Sequence, residues 1–336
     1  MKAYELHEVA GKIEVRLNRS RTLPKLNHGE VLVRVRAASL NFRDLMILAG
    51  HYPGHMRPGV IPLSDGAGEI VEVGPGVPSS ALGQRVTSTF FPNWQNGSIS
   101  DLAIEASLGF ESDGMLAEFV ALPYKSTIAI PAHLSYEEAA TLPCAAVTAW
   151  NTLTRVGRIK AGDTVLLLGT GGVSIFALQF AKIMGASVIH LSSSDAKLGR
   201  VKSMGADHLI NYRSTPDWDR RVLDLTEGRG ADLIVEVGGA GTLERSLRAV
   251  KVGGVVATIG LVAGVGQINP LPLISRAINL AGVYVGSREM FRSMNKSIEV
   301  AALKPVIDCS FHIDEALEAY EYMRNGSHLG KVVVSI

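Results

Sequence analysis

A glycine-rich loop is the sharpest chemical signal in the sequence. It consists of Gly169, Thr170, Gly171, Gly172, Val173 and Ser174. The loop follows an apolar run and opens a segment with helical spacing that extends to Met184. Glycines allow a tight turn and close approach of a pyrophosphate, while a helix N-terminus offers unpaired N–H groups and a favourable dipole. The loop therefore predicts a dinucleotide site; the alternative is a turn that binds nothing.

Hydroxyl and basic side chains follow the next strand, where an NAD site would carry an acidic residue for the ribose. The strand ends in Ser192, Ser193 and Ser194, and Lys197 and Arg200 come soon after. Small donors and cations suit a 2′-phosphate, which a carboxylate would repel. This pattern favours NADPH. The alternative is that Ser194 or its neighbour caps a helix whose basic residues are merely solvated.

Three further segments end predicted strands of the same sheet. Gly238 follows the fourth strand, Gly260 and Leu261 follow the fifth, and Tyr284 with Val285 closes the sixth. Because open α/β sheets bind ligands at the carboxyl ends of their strands, we expect these residues near the nicotinamide. A purely turn-forming role is the alternative.

Bulk properties limit the class of protein. The 336 residues suggest two domains, and 47% hydrophobic and 19% charged residues indicate a globular chain. A formal net charge of +1 gives no electrostatic footprint for nucleic acid or an anionic membrane. The N-terminal segment lacks a signal-like apolar stretch, which predicts a cytoplasmic protein. Two cysteines give no disulfide framework.

The order of elements predicts an α/β fold in two domains. Short β-type runs separated by Gly and Pro turns fill residues 1–123, and strands alternating with helices fill residues 124–288. The segment 289–336 offers an amphipathic helix and a closing strand, which we assign to the first domain. We therefore expect a mainly β domain interrupted by a doubly wound parallel sheet.

Many segments in the same order resemble the medium-chain dehydrogenase/reductase superfamily, specifically its zinc-lacking quinone oxidoreductase branch. They include Ala38 to Asp44, Gly66 to Gly74, Gly83 to Val86, Gly114 to Val120, Leu142 to Trp150, the glycine loop, Met204 to Asp207 and Gly330 to Val332. The resemblance runs nearly end to end. It implies a GroES-like substrate domain, a Rossmann cofactor domain and a homodimer.

The resemblance also bears on zinc. Zinc-bearing relatives place a cysteine at the position of Asn41, a histidine within the segment matching Leu63 to Asp65, and a cysteine or histidine at Cys144. Only Cys144 is retained here, and one thiolate cannot make a three-ligand catalytic site. We therefore expect no metal, with Cys144 as a small buried hydrophobe.

The resemblance implies two catalytic residues and two further cofactor contacts. Asn41 and Tyr52, the latter within Gly50 to Pro53, match residues near nicotinamide and substrate in the branch. Thr148 and Tyr212 match cofactor contacts, and Lys331 is expected to approach the cofactor from the C-terminal strand, the alternative being that it only completes the sheet. A tyrosine hydroxyl could polarise a carbonyl or donate a proton. The alternatives are a half-buried turn tyrosine and an asparagine that stabilises a strand end.

Aromatic residues define a predicted acceptor pocket. Its members are Phe42, Tyr52, Phe91, Trp94 and Tyr284, although each could equally belong to the core. The segment 91–110 lacks a clear strand pattern and is the expected acceptor-side loop. Arg43 and Asp44 are expected to form a local ion pair, and His51 and His55 are assigned to a loop.

These observations predict an NADPH-dependent, zinc-independent oxidoreductase acting on a small-molecule quinone or enone. Without a Lewis acid, an activated acceptor suits the site better than a simple alcohol. An enoyl-thioester reductase is the nearest alternative, although Arg288 and Arg292 are the only evident basic cluster for a carrier phosphate. An alcohol dehydrogenase and a low-turnover NADPH-binding protein are further alternatives.

Overall fold

The computed structural model describes residues 1–262, 264 and 266–336. The chain forms two compact units. The first comprises Met1–Val147 and Gly286–Ile336, and the second comprises Thr148–Val285. The first unit thus extends past the predicted boundary at residue 123, because a strand at Thr127–Ala129 and a helix at Tyr136–Ala140 pack with its sheet. The second boundary lies three residues before the predicted one.

The first unit is mainly β. Its strands are β1 (Ala3–Val9), β2 (Lys12–Asn18), β3 (Glu30–Ser39), β4 (Asp65–Val73), β5 (Arg85–Ser88), β6 (Phe119–Pro123), β7 (Thr127–Ala129), β14 (Ile307–His312) and β15 (Lys331–Ser335). A two-residue turn joins β1 to β2, and Ala10 and Gly11 both have positive φ there, as right-twisted hairpins favour. The main sheet runs β14-β15-β3-β4-β5-β7, with β6 also paired to β3.

The C-terminal strand inserts beside β3. β15 pairs antiparallel with β3, with Val333 opposite Ser39, and parallel with β14. The hydrophobic core of this unit joins residues from both chain ends, such as Val33, Met115 and Val334. The C-terminal segment therefore lies in the mainly β unit.

The first unit also contains helices. They are α1 (Phe42–Leu48), α2 (Asp101–Ile104), α3 (Tyr136–Ala140), α10 (Arg288–Val300) and α11 (Ala316–Arg324). Ser135 caps α3 by accepting a hydrogen bond from the Glu138 amide, and Ser287 caps α10 in the same way through Met290. A helix α4 (Val147–Asn151) follows a π-helical turn at Leu142–Ala146.

The second unit is a parallel sheet with interspersed helices. Its strands are β8 (Thr164–Leu168), β9 (Ser187–Ser192), β10 (His208–Asn211), β11 (Ala231–Glu236), β12 (Val250–Thr258) and β13 (Asn279–Gly282). Its helices include α5 (Gly172–Ile183), α6 (Asp195–Ser203), α7 (Trp218–Leu225), α8 (Ala240–Ala249) and the five-residue α9 (Leu271–Ser275). The strand order β10-β9-β8-β11-β12-β13 is the doubly wound Rossmann order.

Burial explains why these strands read as apolar runs. Every residue of β8 and β11 is buried, as expected for central parallel strands with helices on both faces. The predicted α/β fold class is confirmed. Within the described residues, no helix is both long and apolar enough to cross a bilayer.

Candidate functional site

Lys331 and Asn41 form a buried polar contact in the first unit. The pairing of β15 with β3 brings them together, since the Leu40 amide donates to Val332 O at 3.1 Å. The Lys331 ammonium is 3% exposed and donates to Asn41 Oδ1 at 2.6 Å and to Leu40 O at 2.5 Å. Asn41 precedes α1, and its amide donates to the Asp44 carboxylate. The strand pairing and this cap together hold the Asn41 side chain.

Asp65 lies beside this pair and is fully buried. Its carboxylate accepts the Cys144 amide at 3.1 Å and the Ser64 hydroxyl at 2.8 Å, and it lies 4.0 Å from the Lys331 ammonium. Burial raises the pKa of Asp65, and the Lys331 charge opposes that shift. The carboxylate is therefore surrounded by donors and a cation.

The residues at the zinc-ligand positions do not fit a catalytic zinc. Burial and the Asp65 carboxylate raise the pKa of the Cys144 thiol, the one residue of zinc-ligand type that these positions retain. The side chain of Asn41, which occupies the first ligand position, accepts a hydrogen bond from the Lys331 ammonium instead. Among the residues that the structure describes, no group of three or more His, Cys, Asp or Glu could hold a metal ion.

The Arg43 guanidinium packs against the Tyr52 ring and forms a clamp on it, although adjacency in the sequence predicts an ion pair between Arg43 and Asp44. The Arg43 guanidinium lies 4.7 Å from the Tyr52 ring centroid and 4.5 Å from that of Phe90. Arg43 Nη1 donates to Leu108 O at 2.7 Å, and the ring of Phe110 meets Tyr52 edge-on at 5.1 Å. The ion-pair expectation is wrong, because the Asp44 carboxylate caps the Asn41 amide while Arg43 points toward the two rings.

The Arg43 side chain is buried where it forms this clamp. Arg43 is 7% exposed, and its Nε and Nη2 have no hydrogen-bond partner among the described residues. Aromatic faces can receive such donors and stabilise the cation. Burial raises the pKa of the adjacent Asp44 to about 6, although the Arg43 charge lowers it.

The predicted acceptor-pocket residues differ in exposure. Phe42 and Tyr284 are each 40% exposed, whereas Phe91 and Trp94 are buried. Phe91 contacts Phe90 at 4.6 Å between ring centroids, and Trp94 Nε1 donates to Gly97 O. Phe91 therefore lies in the same aromatic group as the Arg43 clamp. Its burial and that of Trp94 agree with the alternative that they are core residues.

The glycine loop of the second unit has the expected strand-loop-helix geometry. Gly169 has φ +71°, and Gly171 precedes α5 with extended backbone. A Cβ added at Gly171 would meet no protein atom within 4 Å. Since neither φ nor packing requires glycine there, the position fits close approach of a dinucleotide pyrophosphate. Ser174 is buried and donates to Leu168 O at 2.6 Å, so this small residue satisfies its hydroxyl within the turn.

His190 supports the loop from the neighbouring strand and was missed as a site residue. Its Nε2 lies 2.7 Å from Gly169 O. Burial lowers the pKa of His190 to about 4, so the ring is neutral near pH 7 and Nε2 can donate to that carbonyl. An apolar strand with one internal histidine was the only sequence signal.

The neutral state of His190 predicts a pH-dependent stability. Its folded pKa lies below the ordinary value, so the unfolded state binds the proton more tightly and stability is lost as pH falls below about 6.5. Relative to a His190→Gln variant, we expect the wild-type free energy of unfolding to rise by about 2 kcal/mol between pH 5 and pH 7. Urea unfolding of both proteins at each pH measures it. His208→Gln, an exposed histidine of the same unit, is the control. A pH-independent difference between His190→Gln and wild type would contradict the assignment.

The serine segment ends β9 and begins α6. Ser194 accepts a hydrogen bond from the Lys197 amide, so the alternative that it caps a helix is confirmed. The Tyr212 amide donates to Ser192 O at 3.1 Å, which brings the end of β10 beside this segment. Ser193 and Lys197 are partly buried and Tyr212 is exposed. The segment can therefore cap its helix and still offer Lys197 and Tyr212 to a phosphate.

A buried carboxylate organises the loop after β11. Glu236 accepts hydrogen bonds from the Gly238 amide at 2.7 Å, the Thr242 hydroxyl at 2.6 Å and the Ser246 hydroxyl. A Cβ at Gly238 would meet Thr242 Oγ1 at 2.2 Å, which supports a turn-forming role for this glycine. At Gly260 a Cβ would meet Val237 O at 2.7 Å. The glycines at both strand ends are thus required by packing, and Glu236 was missed by sequence reasoning.

The end of the second unit contains a strained residue. Val285 is buried with φ +54°, a conformation that β-branched residues rarely adopt. Its carbonyl accepts a hydrogen bond from Asn151 Nδ2 at 2.8 Å. Thr148, at the start of the same unit, is 3% exposed, and Leu261 is exposed. Val285 is held in place by a side chain that sequence reasoning did not single out.

Two family descriptions match the chain. Residues 27–132 match the alcohol dehydrogenase GroES-like domain, and residues 172–299 match the zinc-binding dehydrogenase family. The first match lies in the mainly β unit. The second covers most of the parallel sheet and continues into α10.

Named relatives match almost the whole chain. A zinc-type alcohol dehydrogenase-like protein of Schizosaccharomyces pombe is 44% identical over 99% of each chain. An acryloyl-coenzyme A reductase of Sulfurisphaera tokodaii is 30% identical over 93% of each. A solved structure described as an NAD-dependent alcohol dehydrogenase is 31% identical, covers 100% of each chain and has a TM-score of 0.89.

Proposed function

Because the chain belongs to the medium-chain dehydrogenase/reductase superfamily, we propose that it reduces a quinone or another activated conjugated carbonyl with NADPH and without zinc. The bound nicotinamide would supply the hydride. The observation that carries the proposal is the Lys331–Asn41 contact, because an ammonium bonds the side chain at the first zinc-ligand position of zinc-bearing relatives. An acceptor that takes hydride directly needs no Lewis acid.

The residues of the first unit would polarise and orient the acceptor. Tyr52 would donate a hydrogen bond or a proton to the acceptor oxygen as charge develops there. Arg43 and Phe110 orient its ring, and Lys331 orients Asn41. Asn41 would position cofactor or substrate. Orientation of groups that need not move during the reaction is a main source of rate acceleration.

The second unit would hold the cofactor. The amides at the start of α5 would bind the pyrophosphate, and Lys197 with the serines after β9 would bind the 2′-phosphate. Thr148, Gly238, Gly260, Leu261 and Val285 remain proposed nicotinamide-side contacts. The preference for NADPH rests on the absence of an acidic residue in the segment Ser192 to Ser194.

Other reactions remain as alternatives within the same superfamily. The acryloyl-coenzyme A reductase relative supports an enoyl-thioester acceptor, for which Tyr52 would serve equally well. The zinc-type relative supports an alcohol dehydrogenase, which the Asn41 and Cys144 environments disfavour. A further alternative is a protein that binds NADPH with little turnover. The position of Tyr52, oriented by Arg43, supports catalysis instead.

We also propose that the protein is a homodimer. The strand β13 ends the six-stranded sheet, and Leu271 and Ile274 of the adjacent α9 are 61% and 79% exposed. A sheet edge with exposed apolar side chains is suited to pairing with a second copy.

The decisive experiment is oxidation of NADPH and NADH by metal-stripped protein. A panel of quinones, enones, aldehydes and enoyl thioesters supplies the acceptors. We expect undiminished turnover of quinones or enones after chelation, and a kcat/KM for NADPH at least tenfold above that for NADH. Lys197→Ala should reduce this preference, because it removes the cation proposed to bind the 2′-phosphate, while Lys202→Ala on the exposed face of α6 should not. Activity that requires added zinc and an alcohol or aldehyde would overturn the proposal.

A further inference from the structure

A cavity of about 450 Å³ lies in the first unit, beside the predicted acceptor-side loop. Its lining residues are Gln95, Asn96, Gly97, Arg288, Glu289 and Arg292. The loop and helix α10 are joined by backbone hydrogen bonds, from the Arg288 amide to Trp94 O at 2.9 Å and from the Glu289 amide to Gln95 O at 3.0 Å. These bonds fix two walls of the cavity. Its volume is in the range of small-molecule sites.

The guanidinium groups of Arg288 and Arg292 both line the cavity. Arg288 is held by hydrogen bonds from Nε and Nη2 to Thr127 O, at 3.2 and 2.9 Å. Burial and then the like charge of Arg292 lower the pKa of Arg288. Glu289 brings one negative charge to the same lining. Two cations that face one cavity repel each other, and an anion bound between them relieves that repulsion.

The backbone of α10 does not supply the recognition. Its first two amides donate to the loop, and the Met290 amide donates to the Ser287 hydroxyl. Binding therefore depends on the guanidinium groups and on the amide side chains of the loop. Guanidinium groups match phosphate and carboxylate oxygens in geometry as well as charge.

We propose that this cavity is an anion subsite that binds a phosphate or carboxylate carried by the acceptor. The inference rests on the proposed function, since it describes the substrate of that same site. The loop that forms one wall also carries Phe91 and Trp94, so an acceptor bound near the aromatic group could extend toward the arginines. The acceptor is then a conjugated compound with an anionic tail.

Equilibrium binding tests the subsite directly. Inorganic pyrophosphate is titrated by calorimetry into protein saturated with NADP, so that the cofactor site is occupied. We expect Arg292→Gln to weaken pyrophosphate binding at least fivefold and Glu289→Gln to tighten it about threefold. Arg36→Gln, an exposed arginine on β3, is the matched control and should leave binding unchanged. Equal affinity in all four proteins, or no detectable binding to wild type, would overturn the proposal.

Kinetics with matched acceptors identifies the source of the anion. Acryloyl-coenzyme A is compared with acryloyl-pantetheine, and 4-oxo-2-pentenoate with 3-penten-2-one. If Arg292→Gln raises KM at least fivefold for acryloyl-coenzyme A and for no other acceptor, the anion that binds in the cavity is a phosphate. If it raises KM to the same extent for 4-oxo-2-pentenoate and for no other acceptor, the anion is a carboxylate. An equal increase for neutral acceptors contradicts the subsite. If no acceptor is reduced, the proposed function fails, while Arg292-dependent pyrophosphate binding still supports the anion subsite.

Discussion

Replacement of Lys331 by methionine is expected to lower the free energy of unfolding by about 3–5 kcal/mol, because a buried carboxylate then loses its neighbouring cation. Asp65 is fully buried and lies 4.0 Å from the Lys331 ammonium. The substitution also removes the donors to Leu40 O and Asn41 Oδ1. The substitution should also reduce kcat/KM of the protein that remains folded, because the Asn41 side chain is no longer held in position. Urea unfolding and steady-state kinetics measure the two effects.

A second substitution separates charge from packing at this position. In a Lys331→Met/Asp65→Asn protein the uncompensated charge is gone, so at least half of the lost stability should return. Lys304→Met is the matched surface control; Lys304 is 65% exposed and forms an ion pair with Glu138, and the loss of this pair should cost below about 1 kcal/mol. A loss under about 1 kcal/mol for Lys331→Met would show that Lys331 does not compensate Asp65.

Replacement of Tyr52 by phenylalanine is expected to reduce kcat about 100-fold with quinone and enone acceptors. The change removes the hydroxyl that we assign to the acceptor oxygen and keeps the ring that Arg43 and Phe110 hold. NADPH affinity should therefore stay within about twofold of the wild-type value. Stopped-flow measurement of nicotinamide oxidation, together with fluorescence titration of NADPH, tests both statements.

The chain offers a matched control for this tyrosine. Tyr136 also lies under an arginine, with the Arg85 guanidinium 4.7 Å from its ring centroid and Arg85 Nη2 bonded to Leu134 O. Tyr136→Phe should leave kcat unchanged. Arg43→Gln should reduce kcat because the clamp is lost, whereas Arg85→Gln should not. If Tyr52→Phe retains a third or more of wild-type kcat with every acceptor, Tyr52 is not the catalytic donor.

The two candidate catalytic residues show how far local sequence reasoning extends. Asn41 and Tyr52 were singled out by resemblance, and their neighbours in space were not. Adjacency predicts that Arg43 pairs with Asp44, yet the Asp44 carboxylate accepts a hydrogen bond from the Asn41 backbone amide. The guanidinium instead lies against the rings of Tyr52 and Phe90, which come from two separate segments, and adjacency in the chain cannot reveal such a contact.

The fold class, the parallel sheet and the glycine loop could be predicted from the sequence. These features depend on local hydrophobic periodicity and on backbone conformations that only certain residues permit, so they can be recognised within a short segment. The tertiary structure alone decided the surroundings of the polar groups. Lys331 reaches Asn41 across 290 residues because β15 pairs with β3, and His190 reaches Gly169 because β9 lies beside β8. Strand pairing sets which buried charge meets which partner, and burial then sets the electrostatics, so these properties follow from the folded chain.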